Sequence, residues 1–60
     1  MNSREIIKKL KNDGWVVHHV KGDHYQFKHS EKKEKVTVPH PSKNIAIGTL
    51  KSIYRQAGWK

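Results

Sequence analysis

Apolar positions in the first part of the chain follow a helical spacing. Two isoleucines and a leucine recur three and four residues apart, and the lysines among them fall on the other side of such a helix. The apolar stripe comprises Ile6, Ile7 and Leu10. Asn2 or Ser3 can cap the start, and Gly14 suits the left-handed residue that ends a helix. The pattern predicts a helix over residues 3–13.

Three segments between residues 15 and 39 have the composition of β-strands. The first, 15–21, is rich in β-branched and aromatic residues, which favour strands. Gly22-Asp23 is a signal for a two-residue hairpin turn, and a second strand is expected at 24–29. Residues 30–34 are polar and predict a turn, which leaves a short third strand at 35–39.

The last part of the chain returns to helical spacing. Apolar residues recur over 47–57, Gly58 suits the end of that helix, and Trp59 can fold back on its last turn. We expect one domain over residues 1–60, of the α+β class and in two layers. The predicted order is α-β-β-β-α, with a three-stranded antiparallel sheet and both helices on one face. This is also the order of the double-stranded RNA-binding domain.

The hairpin turn sets a register for the first two strands. Lys21 is expected opposite His24, and the next pairs are Val20–Tyr25, His19–Gln26 and His18–Phe27, since paired residues share a face. The predicted inner face holds Val20, Tyr25, Phe27, Val36 and Val38. The predicted outer face holds Lys21, His19, His24, Gln26, Lys28, Lys35 and Thr37. Trp15 and Trp59 are expected to pack at helix ends rather than to stack on bases.

Charge narrows the choice of partner. Of 60 residues, 13 are Lys or Arg and 5 are Asp or Glu, which gives a formal net charge of +8. Such a surplus on a small surface favours nucleic acid, because phosphate contacts release counterions. The alternatives are a solvated basic surface and an acidic protein partner.

Other classes of protein are disfavoured by what the chain lacks. It has no cysteine, so neither a disulfide nor a thiolate metal site is available. No apolar run approaches the roughly 20 residues of a membrane span, and the first residues lack the apolar segment of a signal peptide. We therefore expect a cytoplasmic protein with no membrane contact.

The whole chain resembles the HicA toxins of bacterial and archaeal HicA–HicB toxin–antitoxin pairs. The matching segments are REIIKKL at 4–10, DGW at 13–15, KGDHYQF at 21–27, VTVPHP at 36–41 and IAIGTLKSIYRQAGW at 45–59. The resemblance implies a fold like that of the double-stranded RNA-binding domain and a ribonuclease that cleaves mRNA. It implies a single catalytic histidine, matching His24, and a HicB antitoxin that covers the active face.

Two positions depart from the family's usual pattern. The residue before the histidine is most often Ser in this family and is Asp23 here, and the position of His19 is often Arg. A carboxylate at Asp23 favours the imidazolium form of His24 but also repels a phosphate.

RNA cleavage requires proton transfers that a histidine can perform. A base takes the proton of the 2′-hydroxyl, an acid protonates the leaving 5′-oxygen, and positive charge stabilises the phosphorane. From the residues alone His24 is an exposed strand histidine, and the resemblance assigns it the proton transfer. A second acid or base stays open among His19, His29 and His40.

Contacts to RNA have candidates on the same predicted face. Lys21, Lys28 and Lys35 can bind phosphates, and Gln26 can bind RNA or orient His24. The other interpretation of each is a solvated polar side chain. On the last helix Lys51 and Arg55 can meet phosphates or acidic groups of the antitoxin, and the sequence does not separate these.

A metal site is not expected. The chain has five histidines, but His18 and His19 are predicted to point to opposite faces and no spacing matches a tetrahedral zinc site. We expect neither a metal nor a cofactor.

Three functions remain from the sequence. The first is a type II toxin that acts as a metal-independent endoribonuclease on mRNA, uses His24 for proton transfer and is inhibited by a HicB antitoxin. The second is a non-catalytic RNA-binding module of the same fold. The third is a protein-interaction module whose basic face serves an acidic partner.

Overall fold

The computed structural model describes residues 1–59, so Lys60, the last residue of the expected domain, lies outside the described residues. Two helices and three strands follow the predicted order α-β-β-β-α. They are α1 (Ser3–Asn12), β1 (Val16–Lys21), β2 (His24–His29), β3 (Lys32–Pro39) and α2 (Ile47–Ala57). The strands form one antiparallel sheet in the order β1-β2-β3, and both helices contact β3. The predicted fold class is confirmed.

One apolar core lies between the helices and the sheet. The buried residues of this core are Ile6, Leu10, Trp15, Phe27, Val36, Val38, Ile45, Ile53 and Ala57. Trp15 is only 1% exposed and precedes β1, whereas the sequence placed it in the strand. Its side chain fills the core beside the end of α1, because so short a chain has few large side chains to bury.

Helix α1 is fixed at both ends by polar contacts. The Asn2 side chain accepts a hydrogen bond from the Glu5 amide at 2.8 Å and so is the N-cap, while Ser3 is buried. Asp13 caps the other end, and Gly14 follows with φ +94°. A Cβ on Gly14 would lie 2.9 Å from Nε2 of His29, so only glycine fits this turn without displacing that ring.

The third strand is longer than the sequence predicted. It begins at Lys32 rather than Lys35, and the turn after β2 contains only Ser30 and Glu31. The added residues are charged and exposed at the edge of the sheet. Apolar alternation cannot reveal such a segment, since charged side chains are what edge strands carry to avoid pairing with other chains.

The predicted register of the hairpin is confirmed near the turn and is wrong further along the strands. Lys21 pairs with His24, Val20 with Tyr25 and His19 with Gln26, as predicted. Phe27 pairs with Val17 instead of His18, because a bulge lies between Val17 and His19. The extra residue places His18 outside the regular alternation.

Strand β1 extends beyond the cover of the helices. Val20 shares the inner face with Tyr25 but is 47% exposed, and Val16 and Val17 are exposed as well. Val20 therefore lies on the predicted inner face, but it is not buried there. The helices stand over β3 and the neighbouring part of β2, which leaves the β1 edge open.

The chain after α2 folds back as the sequence predicted. Gly58 adopts a left-handed conformation at the end of the helix, and the Trp59 amide donates to the Tyr54 carbonyl at 2.8 Å. The loop before α2 is tied to the start of the chain, since the Ser3 amide donates to the Ser42 carbonyl at 2.9 Å. Within residues 1–59, neither helix has the length and apolar character needed to cross a membrane.

Candidate active site

The sheet face away from the helices carries three successive rows of mainly polar side chains. At the hairpin end Lys21, His24 and Pro39 are neighbours, and His19, Gln26 and Thr37 form the next row. The third row contains Val16 and Lys28, with Lys35 exposed on β3 immediately before the buried Val36. We call this surface the open face. Rows on one face are about 7 Å apart, because successive side chains alternate between faces.

His24 is an exposed titratable group at the hairpin end of the open face. Its side chain is 63% exposed, and its Nε2 lies 3.7 Å from the Asp23 carboxylate. That separation exceeds a hydrogen bond, and an exposed ion pair of this kind contributes little to stability. Lys21 is the direct cross-strand neighbour of His24, and His19 is its diagonal neighbour. A phosphate placed at His24 is therefore within reach of a lysine and a second histidine.

Gln26 lies two residues beyond His24 on the same face. It is half-buried between His19 on β1 and Thr37 on β3. Its amide thus forms part of the floor of the open face, one row away from the hairpin end. The structure brings Lys21, Gln26, Lys28 and Lys35 onto one surface with His24, at distances that increase from row to row.

The bulge adds His18 to the basic side of the site. Partial desolvation lowers the pKa of His18, and the charges of Lys35, Lys28 and His19 lower it further. His18 therefore lies near these basic groups and is displaced from its predicted place opposite Phe27. Sequence reasoning missed this placement because no residue in VVHHV marks a bulge.

Two other histidines are occupied by structural contacts. Nδ1 of His29 accepts from the Glu31 amide at 3.0 Å, so Nε2 carries the proton and donates to the Asp13 carbonyl at 2.9 Å. The ring also meets Trp15 edge-on at 5.3 Å between centroids. His29 joins the end of β2 to the end of α1 and has no ring nitrogen left for catalysis.

His40 occupies the corner where β3 leaves the sheet. Its Nδ1 lies 2.7 Å from the Ser3 hydroxyl, and its ring meets Tyr25 edge-on at 4.9 Å. The His40 amide donates to the Asp23 carbonyl at 2.7 Å, which holds this corner against the hairpin turn. A cavity of about 450 Å³ lies beside it, with Arg4 and Lys43 in its lining. Nothing in the sequence brought Arg4 or Lys43 to this end of the molecule.

Asp13 joins four elements on the opposite side of the molecule from the hairpin. Its carboxylate accepts from the indole N–H groups of Trp15 at 3.2 Å and Trp59 at 3.1 Å, and Lys32 lies 3.9 Å away. The hydrogen bond from Trp59 has the largest effect on the pKa of Asp13 and lowers it. Desolvation is the second largest and raises the pKa, while Trp15, Lys32 and His29 lower it further, so that the net shift is downward. The Asp13 carboxylate therefore has a structural role, because it links the ends of these elements.

No group of three or more His, Asp or Glu side chains within residues 1–59 is arranged to hold a metal ion. The five histidines are dispersed instead over the open face, the end of α1 and the corner at His40.

Comparisons with known proteins agree with this architecture. A family model described as the HicA toxin of bacterial toxin–antitoxin systems matches residues 3–59. A solved structure described as the HicA3 and HicB3 toxin–antitoxin complex contains a chain 30% identical in sequence, with a TM-score of 0.83. The alignment covers 100% of this chain and 97% of that chain. No curated protein gave a significant match. The chain belongs to the HicA toxin family of bacterial toxin–antitoxin systems.

Proposed function

We propose that this toxin is a metal-independent endoribonuclease that cleaves mRNA in the cytoplasm, with His24 as its proton-transfer residue. The observation that carries the proposal is the position of His24. It is an exposed histidine beside a lysine on a basic open face, whereas structural contacts hold both ring nitrogens of His29 and the Nδ1 of His40. Membership of the HicA family supports the same assignment.

The cleavage uses the 2′-hydroxyl of the RNA as the nucleophile. As the bond from 2′-oxygen to phosphorus forms, the bond from phosphorus to the 5′-oxygen breaks, which yields a 2′,3′-cyclic phosphate and a 5′-hydroxyl. One proton leaves the 2′-oxygen and one reaches the 5′-oxygen. His24 performs one of these transfers, and Lys21, its direct neighbour, stabilises the charge on the phosphorane.

The second proton transfer has one well-placed candidate. His19 is the diagonal neighbour of His24, a relation in which Cα atoms lie about 7 to 8 Å apart. A phosphate between the two rings can contact both. His29 is excluded by its two hydrogen bonds, and His18 is one step further along the strand.

The rest of the open face binds the RNA backbone. Lys28 and Lys35 lie two rows from the hairpin end and are exposed. They meet phosphates on one side of the scissile bond, and Gln26 contacts the nucleotide between them and His24. This binding is sequence-independent in character and weakens with salt, because it is made by charges.

The antitoxin partner follows from the same family. The similar solved structure is described as a complex of HicA3 with HicB3. We assign this chain a HicB antitoxin that inhibits it by covering the open face. A chain of net charge +8 favours an acidic antitoxin surface and rapid association.

Two observations favour a second candidate, a non-catalytic RNA-binding module. His24 lies on an exposed strand rather than in a cleft, and Asp23 places a carboxylate 3.7 Å from its ring. A carboxylate there opposes the approach of a phosphate. The Asp23→Ser variant removes this repulsion. A higher cleavage rate in the variant than in the native chain would show that the carboxylate inhibits cleavage.

The decisive experiment is cleavage of a labelled mRNA by the purified chain in excess EDTA, beside His24→Ala. The native chain is expected to cut and the variant not to cut, while both bind the RNA at low salt. Equal cutting by both would remove His24 from the mechanism. Binding without cutting by both would leave the RNA-binding module.

A further inference from the structure

An apolar groove runs along one flank of α2, in the helical layer and away from the open face, where Leu50, Tyr54 and Trp59 are partly buried against the core. Its cavity of about 530 Å³ is lined by Leu50, Lys51, Tyr54, Arg55, Gly58 and Trp59. The lining positions in α2 recur at three- and four-residue spacing and so form one stripe, distinct from Ile53 and Ala57, which face the core. Ile47 begins the same stripe one turn earlier and is 74% exposed.

The aromatic end of the groove is held in one arrangement. The Trp59 and Tyr54 rings meet edge to face, with centroids 5.2 Å apart and planes at 88°. The Trp59 indole N–H donates to Asp13, and the Lys9 ammonium lies 4.7 Å from the Tyr54 centroid and 4.8 Å from that of Trp59. These contacts fix the rings before any partner arrives, which lowers the entropy cost of binding.

The rim of the groove is positively charged. Lys51 and Arg55 stand side by side along it, and Lys9 lies at its aromatic end. No acidic residue is among those that line it. An occupant with carboxylates around an apolar side chain matches this arrangement of charge, and a basic one is repelled.

We propose that this groove docks an acidic segment of the HicB antitoxin, with an apolar side chain against Leu50 and Tyr54 and carboxylates against Lys51 and Arg55. The inference rests on the proposed antitoxin partner and adds a second contact to the one over the open face. Because the helices and His24 lie on opposite sides of the sheet, docking in the groove strengthens the complex without itself blocking the RNA site.

The shape of the groove favours protein over RNA. Successive bases stack on aromatic faces that are open to them. Here the two rings are perpendicular, and Lys9 stands over both of them. Rings in perpendicular contact offer a base no open stacking face, whereas an apolar side chain can pack against their outer surface beside Leu50.

The test compares charge reversals inside and outside the groove. Lys51→Glu with Arg55→Glu reverses the charge of the rim, and Lys8→Glu with Lys11→Glu makes the same change of net charge at exposed positions of α1. Ile47→Ser removes exposed apolar surface at the start of the stripe without touching the core. The affinity of each purified variant for the cognate HicB antitoxin is measured by calorimetry, beside its RNA cleavage rate and its Tm.

We expect the rim variant to bind the antitoxin at least about 30-fold more weakly, because like charges then face each other across the contact. Ile47→Ser weakens binding by a smaller factor. The control pair stays within about threefold of native, and the cleavage rate of all three free variants stays within about twofold.

Two results would contradict the proposal that the groove docks the antitoxin, without contradicting the proposed ribonuclease activity. One is equal loss of antitoxin affinity in the rim and control variants. The other is loss of RNA cleavage in the rim variant with antitoxin binding retained, which would make RNA the occupant. If the native chain itself binds no HicB protein, both the groove and the partner in the proposed function are wrong.

Discussion

Strand β2 begins and ends with a histidine, and the two ends of the strand serve different purposes. At one end His24 is 63% exposed on the open face, beside the turn and a lysine. At the other end His29 is half-buried against Trp15, with hydrogen bonds at both ring nitrogens. The same side chain is available for proton transfer in one place and fixed as a structural link in the other. The two histidines are the same residue type, and they differ in whether their ring nitrogens already take part in hydrogen bonds within the fold.

The largest effect should come from changing the free histidine. His24→Gln is expected to lower kcat/KM for RNA by about 10² to 10⁴, the range of a lost proton-transfer group. Affinity for an uncleavable RNA with a 2′-deoxy at the scissile position should stay within about twofold, because the lysines remain. A fall in affinity that matches the fall in rate would make His24 a binding residue only.

The opposite pattern is expected from the fixed histidine. His29→Ala removes two hydrogen bonds and the contact with Trp15, which should lower the free energy of unfolding by about 1 to 3 kcal/mol. His24→Ala, its matched control on an exposed site, should change it by no more than about 0.5 kcal/mol. Urea unfolding of the two variants measures both values. Equal stabilities would show that the contacts of His29 do not support the fold.

The turn that accommodates His29 can be tested through its glycine. Gly14→Ala places a Cβ 2.9 Å from Nε2 of His29 at φ +94°, so it should cost about 1 to 2 kcal/mol of stability. Gly48→Ala is the control, since no atom lies within 4 Å of a Cβ there and alanine favours a helix. Thermal unfolding should show a lower Tm for the first variant and a higher one for the second. A raised Tm in both would mean that the turn relaxes freely.

The smallest effect concerns pH and the carboxylate that His29 and the two indoles surround. The pKa of Asp13 is lowered in the fold from its ordinary 3.8, mainly by the hydrogen bond from Trp59. Its contribution is therefore present above the unfolded pKa and is lost as pH falls through the folded pKa. Asp13→Asn should flatten the loss of stability below pH 3.8, measured by urea unfolding across acid pH. If the free energy of unfolding fell with acid pH in the same way in both proteins, the protonation of Asp13 would not be coupled to unfolding.

Much of the fold could be predicted from local patterns. The spacing of Ile6 and Leu10 marked α1, and Gly22-Asp23 fixed the hairpin, which in turn placed His24 on the face away from the helices. These features depend on neighbours in sequence, so a single chain is enough to reveal them.

The remainder depended on contacts between distant residues. The bulge at His18 and the early start of β3 leave no mark in composition, because both lie among exposed residues. The structural role of His29 comes from Asp13, sixteen residues away. Strand alternation predicts the face on which a side chain lies, but it does not reveal whether the ring nitrogens of a histidine are already hydrogen-bonded.

The most direct measurement is the cleavage rate of His24→Ala and His29→Ala side by side, in excess EDTA and at a temperature where both are folded. We predict that His24→Ala loses at least about 100-fold while His29→Ala stays within about threefold of native. The contrary result, an active His24→Ala beside an inactive, folded His29→Ala, would exchange the roles of the two histidines and contradict this account of the site.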